Sequence, residues 1–230
     1  MSNKGNLFVV GTPIGNLEDI TLRAISTLQD VDFVLAEDTR NSKKLLTAHN
    51  INTKMISYHE HSNEKEIKRI IDILLGGKNL ALISDAGTPT ISDPGYGLIR
   101  DCIRQEIKII PIPGASAITT AMSVSGLPSD SFTFYGFLPQ KKGRVKKIKE
   151  LLSIDNTIIL FESPFRLEKT LNQLKEYLGN RSVVVGRELT KLYEEIIRGN
   201  LDDVIKYFSK SKVKGEIVIM IGKDDDRINF

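Results

Sequence analysis

Residues 7–16 read LFVVGTPIGN, an apolar run followed at once by a loop of glycine, proline and small polar residues. The same succession returns at 80–89, LALISDAGTP, and at 108–117, KIIPIPGASA. Short runs rich in apolar and β-branched residues predict strands, and helical patterns between them predict a parallel, doubly wound sheet. Because the carboxyl ends of parallel strands meet at one edge of such a sheet, we expect the three loops to lie together.

Similar apolar runs continue outward from these loops in both directions. The predicted strands of the first half are 7–10, 33–36, 54–57, 80–84 and 108–112, and those of the second half are 132–137, 157–161, 182–186, 195–198 and 216–220. A cluster of turn residues at 126–130 separates the two series. The sequence therefore predicts two α/β domains, 1–126 with the glycine-rich loops and 127–230.

Composition narrows the classes of function that the chain can have. A single cysteine among 230 residues excludes an intramolecular disulfide framework, and with only 3 histidines a zinc site is hard to assemble. No stretch approaches the ~20 apolar residues of a membrane span, and the expected location is the reducing cytoplasm. The net charge of +3, from 32 Lys plus Arg against 29 Asp plus Glu, leans only weakly towards polyanionic partners.

The three loops lack the phosphate-binding patterns of common cofactors. The first loop does not have G-x-G-x-x-G spacing, and no loop ends in the Gly-Lys-Ser/Thr that grips a triphosphate. Each loop alone could be an ordinary tight turn. Together they suit a ligand with a ribose, an adenine and an amino-acid zwitterion, such as S-adenosylmethionine (SAM), with Asp85 facing its positive or hydroxyl groups. A partly dry, backbone-lined pocket would also favour the dispersal of the sulfonium charge during methyl transfer.

Taken in order, the loops and their contexts resemble the class III, or tetrapyrrole-methylase-like, SAM-dependent methyltransferases. Within that family they are similar to the bacterial branch that methylates the ribose of a cytidine in the decoding region of small-subunit (16S) ribosomal RNA. The segments that carry the resemblance are VGTPIGNLEDITLRA, LAEDTRNSKKLL, SDAGTPTISDPG, PIPGASA, YGFLP, FESPFR, RELTK and GEIVIMIG. Many members of this branch continue with a small C-terminal segment, whereas this sequence ends at Phe230, so an RNA contact from that segment is not expected here.

The resemblance implies a fold of two α/β domains of the tetrapyrrole methylase type, with SAM in the cleft between them, and a homodimer. The SAM contacts that it implies follow strands in both domains: Ile14, Asp85, Thr88, Ser116 and Ala117 from the three loops, and Phe161, Glu162 and Gly215 from the second domain.

Methyl transfer to a ribose hydroxyl needs a group that accepts the hydroxyl proton as the new bond forms. Glu37 and Asp38 follow the second strand and should face the cleft, and Glu37 stands where related enzymes acting on tetrapyrroles carry a catalytic carboxylate. We expect one of the two to take the proton or orient its acceptor, with Arg40 on an RNA phosphate. Alternatively, Asp38 or Thr39 only caps the next helix.

The segment His59-Glu60-His61 follows the third predicted strand and offers further groups. His59 and Glu60 are additional candidates for the proton acceptor. We expect no metal here, because no third ligand is in sight and a zinc site needs at least three protein ligands.

The strongest local excess of positive charge lies at the start of the second domain. It consists of Lys141, Lys142, Arg144, Lys146, Lys147 and Lys149. Such a run is usually a solvated helix face, but beside the resemblance we favour contact with the RNA backbone, which would make binding salt-sensitive. Lys191, in the RELTK segment, either grips RNA as well or takes part in an internal ion pair with Glu188.

Two other functions stay open on the sequence. One is a class III methyltransferase acting on a small molecule such as a tetrapyrrole, against which the basic cluster and the EDTR and FESPFR segments argue. The other is a noncatalytic RNA-binding assembly factor, which predicts RNA binding without methyl incorporation.

Overall fold

The apolar runs in the first half of the chain pair into one parallel sheet. In the computed structural model, which describes residues 4–59, 62 and 64–223, its strands are β1 (Leu7–Val10), β2 (Phe33–Ala36), β3 (Met55–Ser57), β4 (Leu80–Ile83) and β5 (Ile109–Ile112). Their order across the sheet is β3-β2-β4-β1-β5, with parallel pairing throughout. β4 is buried at every position, as is typical of a strand covered on both faces.

Helices cover both faces of this sheet. They are α1 (Leu22–Asp30), α2 (Thr39–Ala48), α3 (Glu64–Leu75) and α4 (Tyr96–Arg104). Alternate residues of β2 point to opposite faces, so Val34 and Ala36 pack in the core beneath α1 and α2, while Leu35 packs in the core beneath α3 and α4. The predicted doubly wound arrangement is thereby confirmed.

The second half forms a mixed sheet. Its strands are β6 (Phe132–Phe137), β7 (Thr157–Glu162), β8 (Ser182–Arg187), β9 (Glu195–Asn200) and β10 (Ile217–Ile221), in the order β6-β7-β10-β8-β9. β6 and β7 are parallel, and the other pairs are antiparallel. The helices of this half are α5 (Ala117–Ser125), α6 (Arg144–Glu150), α7 (Leu167–Leu178) and α8 (Leu201–Phe208). Among the helices of the described residues, none combines the length and apolar character needed to cross a membrane.

The chain divides into two compact units, Met1–Ser116 and Ala117–Phe230. The division lies before α5, whereas the turn residues predicted it after this helix. α5 contacts β10, and Arg198 of β9 donates hydrogen bonds to the carbonyls of Val124 and Ser125 at the end of α5. These long-range contacts attach the helix to the second sheet, and Ala117, predicted to bind SAM, therefore begins the second unit.

Candidate active site

The loops after β1, β4 and β5 converge at the carboxyl edge of the first sheet. Thr12 and Gly87 form an antiparallel bridge, in which Thr12 N donates to Gly87 O at 2.8 Å and Gly87 N donates to Thr12 O at 3.1 Å. Gly11 and Gly114 meet through their backbones, since a Cβ atom built on Gly114 would lie 2.6 Å from Gly11 O. The first loop is thus joined to both of the others, which confirms the predicted convergence.

The predicted SAM contacts of these loops surround this junction. A Cβ atom built on Gly87 would lie 3.4 Å from Cγ2 of the buried Ile14 and 3.8 Å from the carbonyl oxygen of Ala115, so all three loops come within contact distance of one point. Gly87 has φ +80°, a conformation that side-chain-bearing residues rarely adopt. Thr88 and Ser116, the neighbours of Gly87 and Ala115, are half-buried. Their contact with SAM stays a prediction.

Asp85 connects the loop after β4 with the segment after β2. Its exposed carboxylate accepts hydrogen bonds from the backbone N of Asp38 and from Nδ2 of Asn41, each at 3.3 Å. Asn41 was not singled out in the sequence, because nothing but its place in the first turn of α2 distinguishes it. The two contacts fix the position of the Asp85 carboxylate relative to Glu37 and Asp38, the predicted proton acceptors.

Asp93, a carboxyl group near Asp85, is another residue that sequence reasoning missed. Burial raises the pKa of this half-buried group, the charge of Asp85 adds to the effect, and a hydrogen bond with Ser84 opposes it. The same loop holds Thr90 and Ser92 at φ 75° and 61°. Such backbone strain and a raised carboxyl pKa both concentrate at functional sites. Asp93 therefore joins the candidate proton acceptors.

Asp38 is the N-cap of α2. Its Oδ1 accepts a hydrogen bond from Arg40 N at 2.8 Å, and its two oxygens also accept from the Arg40 guanidinium at 3.1 and 2.8 Å. These bonds to Arg40 hold the pKa of Asp38 far below its usual range. A carboxylate so stabilised is a weak proton acceptor, so the structure favours the capping alternative for Asp38. Arg40, predicted on an RNA phosphate, binds Asp38 while its side chain stays 88% exposed.

The capping role of Asp38 can be separated from catalysis by two substitutions. Asp38→Ala should lower the melting temperature by about 2 to 4 °C, whereas Asp38→Asn should hardly change it, because asparagine caps helices as well as aspartate. Calorimetry and methyl-transfer turnover should be measured on both variants and on Glu37→Gln. Loss of turnover in Asp38→Asn at an unchanged melting temperature would contradict a purely structural role.

His59 is held between β3 and the segment after β2. Its Nδ1 lies 3.0 Å from the carbonyl oxygen of Glu37, and its Nε2 lies 3.1 Å from Oγ of Ser57. Only a protonated Nδ1 can bond a carbonyl, so in the neutral ring Nε2 accepts the proton of the Ser57 hydroxyl. The structure thus brings together the predicted residues Glu37 and His59, whereas Glu60 and His61 lie outside the described residues. No cluster of His, Cys, Asp and Glu suited to a metal ion occurs within the part of the chain that the structure describes.

The second unit uses the Glu162 side chain internally. The side chain is 1% exposed, and its oxygens accept from Ser163 N at 2.8 Å, from the Thr170 hydroxyl at 2.6 Å and from Arg166 Nη2 at 2.6 Å. These contacts occupy both oxygens of the carboxylate within the second unit, and the place of Glu162 along the cofactor, which the family resemblance implies, stays a prediction. Phe161, the other predicted contact from β7, packs edge-to-face on Phe134 and Phe137, at centroid distances of 4.9 and 5.7 Å.

Arg144 was predicted to contact RNA, and this prediction is wrong. Its side chain is 4% exposed and donates to Gln173 Oε1 at 2.8 Å, to the carbonyl of Pro139 at 3.1 Å and to the Thr170 hydroxyl at 2.6 Å. The helix turns this side chain inward, because Arg144 shares its buried face with Ile148 one turn later. The exposed lysines of the predicted cluster are Lys141, Lys142, Lys146 and Lys149, while Lys147 pairs with Glu150 at 3.1 Å.

Lys191 takes part in the internal ion pair that was one of its two alternatives. Its ammonium lies 3.0 Å from Glu188 Oε1 and 2.9 Å from Glu216 Oε2. The Glu188 side chain also packs against Gly215: a Cβ atom built on Gly215 would lie 2.4 Å from the Glu188 carboxyl group. Gly215 has φ +93°, a backbone conformation that favours glycine at this predicted SAM contact.

Comparison with known proteins agrees with this fold. The diphthine synthase structure matches with a TM-score of 0.75 at 16% identity, covering 95% of this chain and 90% of that one. The cobalt precorrin-4 methyltransferase structure matches with a TM-score of 0.70 at 18% identity, covering 94% of each chain. At such low identity these likenesses show the fold alone.

Comparison of sequences identifies the family as well as the fold. A protein of Halalkalibacterium halodurans named ribosomal RNA small subunit methyltransferase I is 49% identical over 98% of this chain and 78% of its own length. The protein of the same name from Thermotoga maritima is 48% identical over 96% of this chain and 100% of its own length. The family model described as Tetrapyrrole (Corrin/Porphyrin) Methylases matches residues 6–205. The chain therefore belongs to the tetrapyrrole methylase family of SAM-dependent methyltransferases.

Proposed function

We propose that this chain transfers the methyl group of SAM to the ribose 2′-hydroxyl of a cytidine in the decoding region of small-subunit (16S) ribosomal RNA. The observation that carries the proposal is the 48% identity to the Thermotoga maritima ribosomal RNA small subunit methyltransferase I over 100% of that protein. The choice of the ribose, of the cytidine and of the decoding region rests on the resemblance of the sequence segments to that branch.

The geometry of the three joined loops supports the cofactor part of this proposal. At the contact of Gly11 with Gly114 the two loops approach each other backbone to backbone, and backbone N–H and C=O groups of such loops suit an amino-acid zwitterion. The exposed Asp85 carboxylate, held by Asp38 N and Asn41, suits hydroxyl or ammonium groups. When bound, SAM supplies the methyl group and the positive sulfonium that is neutralised as the methyl leaves.

The residues beside these loops have the chemistry that the nucleophile needs. A ribose hydroxyl must lose its proton as its oxygen bonds the methyl carbon, and general bases within hydrogen-bond reach accelerate such steps by about 10² to 10⁴-fold. Glu37 and His59 lie together, and Asp93 lies near Asp85. We assign the proton acceptor to this set of three, with Asp38 kept for capping and positioning.

The polyanionic substrate is accommodated by exposed positive charge. Lys141, Lys142 and Lys146 are exposed and fit the predicted contact with the RNA backbone. The substrate in this proposal is the small ribosomal subunit, and the protein acts as a homodimer in the cytoplasm, as the resemblance implies.

The proposal is tested with labelled SAM. The purified chain should be incubated with small ribosomal subunits from cells that lack its gene, and in parallel with porphyrinoids. We expect label in the ribosomal RNA, in a dinucleotide that resists alkaline cleavage because its 2′-oxygen is blocked, and mapping should place it at a cytidine of the decoding region. Label in the porphyrinoid alone would favour the small-molecule alternative, and RNA binding without label would favour an assembly factor.

A further inference from the structure

A cleft of about 600 Å³ opens at one end of the second sheet. Its floor contains Arg187, at the end of β8, and Glu195, at the start of β9, which are paired in the sheet. Ile217 of β10 pairs with both Arg187 and Glu162. The cleft therefore lies at the same end of the second sheet as Phe161 and Glu162, for which the family resemblance implies contacts with SAM.

The charges on the floor of this cleft neutralise one another. Arg187 Nε donates to Glu195 at 2.8 Å, and the Tyr207 hydroxyl donates to the other oxygen of the same carboxylate. Arg187 Nη1 donates to the carbonyl of Lys214 at 3.3 Å, which ties the floor to the loop above it. Both oxygens of Glu195 are thus engaged, so the floor offers little repulsion to an anion.

The rim of the cleft carries three positive charges. Lys210, Lys212 and Lys214 alternate along the loop between α8 and β10, and all three are exposed. Among the described residues, none of their ammonium groups has a carboxylate or hydrogen-bond partner. The neighbouring carboxylates of Glu188 and Glu216 are bound by Lys191 instead. Lys210 lies in the turn after α8, and Lys212 and Lys214 follow it at every second position, so the three charges are spread along the loop rather than gathered at a single point.

An aromatic ring stands at the same rim. Tyr193 lines the cleft and is 69% exposed. An exposed aromatic ring beside a track of lysines is the combination by which proteins bind single-stranded nucleic acids, with bases stacked on the ring and phosphates beside the ammonium groups. Lysines are depleted from the cores of protein interfaces, so this surface fits an RNA strand better than a second copy of the chain.

We propose that the cleft with loop 210–214 binds the backbone of the substrate RNA beside the methylated nucleotide, with Tyr193 stacked on a neighbouring base. This inference rests on the proposed function and adds to it a second RNA contact, apart from the predicted lysines of 141–147. It also assigns to Lys210, Lys212 and Lys214 the role that the sequence left open for Lys191.

The test is a full-length variant with Lys210, Lys212 and Lys214 all changed to glutamate. The matched control reverses three exposed lysines elsewhere, Lys65, Lys68 and Lys169, and therefore changes the net charge equally. We expect the first variant to bind small subunits at least about tenfold more weakly, with a salt dependence shallower by about 2 in log–log slope. The control should bind like the native chain, and calorimetric SAM affinity should be unchanged in both.

Tyr193 provides an independent readout. Tyr193→Phe should retain the KM for small subunits, because the ring still stacks, whereas Tyr193→Leu should raise it about tenfold. Equal loss in the test and control lysine variants, no loss in either, or a changed mass by light scattering in the test variant would overturn the inference. If the native chain methylates no small-subunit RNA, the proposed function itself fails, and that result is distinguishable because it appears without any substitution.

Discussion

A Gly114→Ala variant should bind SAM about a hundredfold more weakly than the native chain. The added Cβ atom would lie 2.6 Å from the oxygen, 2.7 Å from the carbonyl carbon and 2.9 Å from the Cα atom of Gly11. All three are backbone atoms of the loop after β1, so no side chain can move aside and the two loops must separate. A misplacement of about 1 Å in an active site can cost a factor of about 10². Calorimetric titration with SAM measures the effect.

Gly97→Ala is the matched control for this substitution. Gly97 lies in α4 with no atom within 4 Å of a Cβ built on it, so alanine should leave SAM affinity unchanged and stabilise the helix by about 0.5 to 1 kcal/mol. The reactivity of the Cys102 thiol shows whether the first unit stays folded in each variant. In the folded unit the thiol is buried, and burial raises its pKa to about 12 and keeps it unreactive. Native SAM affinity in Gly114→Ala would contradict the role given to the junction of the loops.

Strands and the loops after them could be predicted from the sequence because their signals are local. All ten predicted strands occur, with ends that differ by no more than two residues, since apolar β-branched runs and the turn residues beside them lie within a few positions of each other. The convergence of the loops at Ile14, Gly87 and Gly114 followed from one further rule, that parallel strands end at the same edge. Neither step needed a long-range contact.

The misplaced features depend on partners that are distant in the sequence. α5 belongs to the second unit, and Arg198 donates hydrogen bonds to the carbonyls at the end of that helix. No sequence pattern near residue 125 predicts these hydrogen bonds. Asp93 becomes a candidate proton acceptor through burial and the neighbouring charge of Asp85. Arg144 is different, since its spacing to Ile148 was visible and predicts a shared helix face. The surrounding lysines outweighed that signal in the sequence-based interpretation.

A Glu162→Gln variant should lose about 3 to 5 kcal/mol of free energy of unfolding, which is the usual cost of removing one partner from a buried ion pair. Arg144 Nη2 lies 3.6 Å and Arg166 Nη2 2.6 Å from this carboxylate, and the side chains of Arg144 and Glu162 are 4% and 1% exposed. Among the described residues, Nε and Nη1 of Arg166 have no hydrogen-bond partner, so Arg166 depends on Glu162 for its stabilisation. Urea unfolding followed by circular dichroism measures the loss.

The exposed pair of Glu150 with Lys147, at 3.1 Å, provides the matched control, and Glu150→Gln should change the free energy of unfolding by less than about 1 kcal/mol. Combining Glu162→Gln with Arg144→Met should cost less than the sum of the two single changes, because the second substitution removes a charge that the first leaves uncompensated. Strict additivity would show that the two side chains do not interact. Weaker SAM binding at unchanged stability in Glu162→Gln would instead support the SAM contact that the family resemblance implies for Glu162.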